Sequence, residues 1–488
     1  MYTDLILPPG QYRNGTDMQA AGRWRDANLV RWHDGIMQPI GGWRQKADMG
    51  GICRGSLAWR DNSRERRIAG GTATTLVAST GGGVVYDITP AGLTAGIVDA
   101  ELNTGYGGGF FGIGTFGTPR PDNGNYTEAT TWSLAAWGQN LLACSVADGK
   151  IYQWELDGAT PAAQLSGAPT GNLGVFVTAE RIVFALGASG DARQIKWSDQ
   201  EDNTTWTAAS TNQAGDHRFE TNGQIMCAAA VPGQTLILTD REAFRAEYQG
   251  PPFIYGFERV GSACGAISRQ AVASVGSQAV WMGQNAFFAY LGGGVEPILS
   301  DVSDYVFSDI NAAQVSKVAA VANEQFNEVW WFYPSSGSTE NDRYVIYNYA
   351  DQHWATGEMA RTTGVDRGAF RYPMFFGADG WIYEHEVGEV SGVTPYAESG
   401  PLRMGDSNGV FTATAFIPDE KTQGEVTMTF KSRLYPNGDE TSVGPYTAAE
   451  PSNIRITGRQ VRLRIDGTAN ADWRFGTPSI QVRQRGQR

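Results

Sequence analysis

Short runs of apolar and aromatic residues recur along most of the chain, broken by Gly- and Asp-containing turns. One unit spans Ser56 to Asp87 and turns at Gly81-Gly82-Gly83. Others begin at Trp132 (WSLAAWGQNLLACSVADGKIYQWEL), Val175, Ile225, Ala271, Val318 and Gly368. From the second onward the starts fall about 40–50 residues apart, a spacing that fits propeller blades of four strands. Each unit reads as a small apolar strand, a turn, an aromatic strand, an Asp-Gly or Gly-x turn, and a further aromatic strand. Asp148-Gly149 and Asp379-Gly380 supply the positive φ that tight hairpins need. Helical periodicity is scarce; the stretch Asp309 to Ala322 predicts a helix, although its second half could equally open a strand.

The last hundred residues alternate differently. FTATAFIPD, EVTMTFKSRLYP, RITGRQVRLRID and WRFGTPSIQVRQRG each carry one apolar face, as sandwich strands do. Val461, Leu463 and Ile465 point one way, while Arg462 and Arg464 point the other. The chain therefore divides into an extended lead at 1–50, rich in Trp and Arg, a propeller at 51–390 and a C-terminal β-domain at 391–488. The fold class is all-β: an irregular β-propeller of six or seven blades with a β-sandwich-like domain behind it. A large sandwich or a β-helix is the rival architecture.

Composition sharpens this picture. Of 488 residues, 41% are hydrophobic and 11% aromatic, and only 18% are charged, which excludes an intrinsically disordered chain. Gly, at 62 residues, is abundant, in keeping with many tight turns. The formal charge of −13 lacks the overall basic footprint of a protein that wraps duplex DNA. Arg outnumbers Lys by 32 to 6, through planar interface contacts or through codon bias. Cys53, Cys144, Cys227 and Cys264 form no C-x-x-C pair and read as buried small hydrophobes from a reducing compartment. No signal peptide is visible at Met1–Pro9, and no run approaches the roughly 18 apolar residues of a membrane span.

Candidate chemistry is thin. GGGFFGIGTFG at 107–117 holds two G-x-G-x-x-G matches, but Pro119 and Pro121 follow where a dinucleotide site needs a helix. The run reads instead as a Gly-aromatic insertion near 103–125. Its Tyr106, Phe110, Phe111 and Phe116 are candidate contacts for another subunit. His33, His217, His353 and His385 share no metal-ligand spacing, and His385 between Glu384 and Glu386 reads as a solvated or edge-strand residue. No G-x-S-x-G elbow or Walker loop occurs. WSDQEDNTTW places Asp199, Glu201 and Asp202 between Trp197 and Trp206. It resembles the Asp-box turn of sialidases but has Asn203 and Thr204 where that turn has its Gly, and an acidic blade turn is the plainer reading. No catalytic, cofactor or metal residue is assigned, and the chain is expected not to be an enzyme. Arg455, Arg462 and Arg464 belong to a run of eight Arg from Arg455 to Arg488, either a solvated face or a patch for an acidic neighbour.

The lead LPPGQYRNGTDMQAAGRWRDANLVRWHDGIMQPIGGWR resembles the opening of a family of phage virion structural proteins. GYGGGFFGIGTFGTPRP resembles that family's Gly-aromatic insertion. IKWSDQEDNTTWTAASTNQAGD, PPFIYGFERVGSACGAIS, FNEVWWFYPSS and RYVIYNYADQHW resemble its blade segments. The resemblance implies a tail nozzle or tail-tube hub of a short-tailed phage. It would be made in the host cytoplasm and carried in the virion tail as a homohexameric ring. Phage DNA would pass through the lumen without specific binding. Neighbours would be a tail adaptor or portal-proximal protein and a tail fibre or spike. The rival function is a receptor- or glycan-binding tail protein that uses a propeller cleft.

Overall fold

A computed structural model describes residues 2–105, 120–388, 392–402, 409–468 and 472–485. Seven four-stranded antiparallel sheets follow one another as blades: blade 1 at residues 56–87, blade 2 at 132–164, blade 3 at 174–218, blade 4 at 225–262, blade 5 at 272–298, blade 6 at 319–358 and blade 7 at 361–385. Their first strands touch in chain order, and Arg361–Val365 of blade 7 returns to Ser56–Arg60 of blade 1. The ring is a closed seven-bladed β-propeller. Blade 7 borrows its fourth strand from the lead: Trp43–Asp48 pairs antiparallel with Trp381–His385.

The hydrophobic pattern explains the blades. The second strands Val183–Leu186, Gln234–Thr239, Gln278–Met282 and Glu328–Tyr333 are buried almost throughout. Each lies mid-sheet with a neighbouring blade on either face, so its apolar run is continuous rather than alternating. Gly149 has φ of 68°, and a Cβ there would come within 2.9 Å of Gly171 Cα, so this turn needs glycine twice over. All four cysteines are buried and unpaired; burial pushes the Cys53, Cys144 and Cys227 thiols up to about 12.

Three expectations change. The helix expected over 309–322 is displaced: the α-helix is Ser303–Asp309, a 3-10 turn spans Ala312–Lys317, and Ala319–Asn323 is already the first strand of blade 6. Asn311 restarts the chain there, accepting a hydrogen bond from the Ala313 amide at 3.0 Å. The lead is not a unit of its own. Tyr2–Asp4 pairs with Ser479–Arg485, Trp24–Asn28 with Tyr396–Ser399, and Trp43–Asp48 completes blade 7. His385 is fully buried rather than solvated, because the borrowed strand covers it.

The C-terminal domain is a sandwich of two sheets. Four strands, Tyr2–Asp4, Ser479–Arg485, Val410–Ile417 and Ser452–Gly458, face five, Trp24–Asn28, Tyr396–Ser399, Gln460–Gly467, Val426–Arg433 and Thr441–Thr447. Phe411, Phe416, Phe430 and Leu463 fill the space between them. The same core continues through Trp24, Leu29 and Trp32 to Trp330, Tyr344 and Phe375 of blades 6 and 7. Each such side chain contributes about 1.5–3 kcal/mol by leaving water. The Leu29 amide donates to the Tyr344 hydroxyl at 2.8 Å, fastening the lead between the two domains.

Candidate functional site

The most heavily built polar site lies where the chain leaves blade 1, crosses the propeller face and enters blade 2. Strands Glu101–Gly105 and Arg120–Thr127 pair antiparallel, with Gly105 opposite Arg120. Tyr106, Phe110, Phe111 and Phe116 lie outside the described residues. The root of this hairpin is anchored on the loop between blades 5 and 6. The Gln314 carboxamide accepts from the Ala100 amide at 2.9 Å and donates to the Ala100 carbonyl at 3.1 Å. The Lys317 side chain is wholly buried; its ammonium donates to Asp99 and, at 2.5 Å, to the Thr339 carbonyl.

Arg54, which precedes the first strand of blade 1, makes a two-pronged contact with Glu340 at 3.0 and 2.5 Å and also reaches the Val98 carbonyl at 3.1 Å. Lys317 stands 3.8 Å from the same Glu340 carboxylate. Burial alone would raise the Glu340 carboxyl, but the Arg54 guanidinium and then Lys317 hold it below its usual range. Burial, and then Arg54, lower the Lys317 ammonium. Beneath this root the channel encloses about 280 Å³, lined from every blade, with Ser56, Trp132, Val175, Cys227, Val272, Ala320 and Thr363 among the lining residues. Gln270, in the connection that leads into blade 5, reaches across it, donating to the Arg54 and Trp132 carbonyls at 2.5 and 3.1 Å. The propeller's own channel is therefore bridged by a side chain and has no room for a duplex.

The basic residues of the C-terminal domain find acids within the chain. Glu398, with a side chain 6% exposed, receives Arg462 at 2.8 Å, Lys431 at 2.7 Å and Arg464 at 3.6 Å. Arg462 also meets Glu440 at 3.2 Å; Arg464 meets Asp466 at 2.7 Å and lies 4.1 Å over the Tyr396 ring. Arg455 stands exposed in the other sheet, on Ser452–Gly458. Asp199 accepts from the Gln200 and Gln213 amides, and Asp202 caps Thr204 and Thr205, so both carboxylates brace their turn. Glu201 pairs with Arg181 at 2.5 Å. Among the described residues no group of three or more His, Cys, Asp or Glu side chains could hold a metal ion.

Sequence reasoning overlooked a second buried charge cluster. Arg31 of the lead lies 3.0 Å from Glu328 and 2.6 Å from Glu386, joining blades 6 and 7. Burial pushes the Glu328 carboxyl up to about 7, against the pull of Arg31 and with Glu386 adding to the rise. A lone Glu opening the aromatic run EVWWFY was the available signal, since an acid there needs a buried partner. Arg54, Lys317 and Glu340 carried no comparable signal, because their partners lie far off in sequence.

No family model matches this chain, and no curated protein matches it. Solved structures do. Virginiamycin B lyase from Staphylococcus aureus is similar over 70% of this chain and 98% of its own, at 6% identity and a TM-score of 0.44. Exo-beta-1,3-galactanase from Phanerochaete chrysosporium covers 91% and 100%, at 9% identity and a TM-score of 0.32. A gluconolactonase from Xanthomonas campestris covers 72% and 95%, at 8% identity and a TM-score of 0.33. The likeness is one of fold and assigns no reaction. It does correct the expectation that this chain is not an enzyme. The three structures named here are of enzymes, at 6–9% identity.

Proposed function

We propose that the protein is a structural subunit of a phage tail, a nozzle or hub repeated as a ring around the DNA-ejection channel. The observation that carries this reading is the resemblance of the lead, the Gly-aromatic run and four blade segments to phage virion structural proteins, spread over nearly the whole chain. The structures compared above are not tail proteins, and the placement rests on the sequence. The molecule's build supports it. One hydrophobic core runs from the sandwich through the lead into blades 6 and 7, which gives a stiff unit suited to a particle that persists outside a cell. Because the propeller's own channel is bridged by Gln270, the genome's path in this reading is the lumen of the ring, formed between subunits. A ring of identical subunits closes through heterologous contacts, and the hairpin rooted on Gln314 and Lys317 offers one.

Mass photometry of the purified protein tests the ring. The expected result is a discrete particle of six 52.7 kDa subunits, the hexamer that the family resemblance implies. A protein that stays monomeric at micromolar concentration and in the presence of tail extract would overturn it.

A further inference from the structure

On the same propeller face as the hairpin root, a cleft of about 490 Å³ opens between blades 4 and 5. That volume lies within the ~300–1,000 Å³ of small-molecule sites. Its walls are matched turns: Asp240 and Arg241 between the second and third strands of blade 4, and Gln284 and Asn285 at the equivalent place in blade 5. Asn222 closes one end, and Phe288 lies in the wall, its ring stacked 5.8 Å from the buried Trp281. The wall is firmly set. A Cβ on Gly265 would fall 2.0 Å from the Asp240 carbonyl carbon, so the two loops touch backbone to backbone.

What separates this cleft from the hairpin root is that its polar groups are uncommitted. At the root, Arg54, Gln314 and Lys317 are each satisfied internally. In the cleft, the side chains of Asn222, Arg241, Gln284 and Asn285 make no hydrogen bond or ion pair with the described residues. The two carboxylates are oriented: Asp240 accepts from the Gln224 amide at 2.9 Å, and Glu242 pairs with Arg259 at 2.9 Å. Two arginines thus offset two acids, and the cleft carries almost no net charge. An anion would meet both carboxylates, and an apolar ligand would leave the amides without partners.

We propose that this cleft binds a neutral oligosaccharide. Carboxylates and carboxamides match vicinal hydroxyls as acceptors and donors, Arg241 adds a donor fork, and Phe288 offers an apolar face for a sugar's C–H side. The site is a binding function in its own right and does not rest on the tail reading.

Isothermal titration of the full-length protein with hexasaccharides of glucose, galactose, mannose and N-acetylglucosamine tests the proposal. One class should bind. The triple variant Asn222→Ala, Gln284→Ala, Asn285→Ala should weaken it about tenfold or more, the equivalent of one or two hydrogen bonds. These side chains have no internal partners, so the variant's melting temperature should match the parent's. Phe288→Ser should weaken binding further, whereas Arg455→Gln in the sandwich should leave it unchanged. No binding of any of the four at about 10 mM, an affinity too weak to register as a site, or binding that survives the triple variant, would overturn the proposal.

Discussion

His385 accepts a hydrogen bond from Arg361 Nε at 3.0 Å and lies between the rings of Phe375 and Trp43, at 4.2 and 5.4 Å. Burial, and then the nearby charges of Arg361 and Arg31, hold its pKa well below the ordinary value of 6.5. The unfolded chain therefore binds a proton that the folded chain refuses. The resulting stability is present above about pH 6.5 and is lost as the pH falls, by up to about 1.4 kcal/mol per pH unit. Gln at 385 keeps an acceptor for Arg361 and does not titrate. In urea unfolding between pH 7 and 5, the parent should lose stability more steeply than His385→Gln; equal slopes would exclude a neutral buried imidazole. Arg54 makes a second case. Arg54→Met removes the two-pronged counter-charge of Glu340 and leaves that carboxylate only Lys317, 3.8 Å away, and the expected loss is about 3–5 kcal/mol in the same assay. Neither residue was legible as a buried centre. Arg361 lies 24 residues from His385, and Glu340 lies 286 from Arg54, with no local pattern joining either pair.

At the scale of elements, the strand Trp43–Asp48 does the most for the least length. It covers the open edge of blade 7 and buries Ala47 against Ile382. Proline at Ala47 would remove a ladder donor and crowd a buried site, so Ala47→Pro should cost about 3 kcal/mol or more and lower the melting temperature. A melting curve that matches the parent's would show that the borrowed strand does not hold the ring closed. The blades themselves were legible, because the second strands read as unbroken apolar runs such as VFAL and VWWFY between turn residues. The lead was not. Its strands pair with Ser479–Arg485, Tyr396–Ser399 and Trp381–His385, hundreds of residues away, and alternation says nothing about a partner at that distance. The Arg face of Gln460–Gly467 was visible as a pattern, but its acid, Glu398, sits on a short strand that carries no comparable signal.

The whole molecule is acidic, with a formal charge of −13, and two of its most prominent cationic side chains are neutralised at Glu398. Arg462 and Arg464 should then add little to any grip on nucleic acid. Titration with a DNA duplex across salt concentrations should give weak binding at low salt, unchanged in Arg462→Gln, Arg464→Gln. Tight binding that collapses as salt rises, and vanishes in that variant, would show those arginines released toward phosphate. The proposed place of this subunit is settled most directly by electron microscopy of virions carrying a gold-labelled tag on the chain. The account predicts label at the tail, in a ring on the ejection axis. Label on the head shell, or virions that assemble complete tails without the protein, would contradict it.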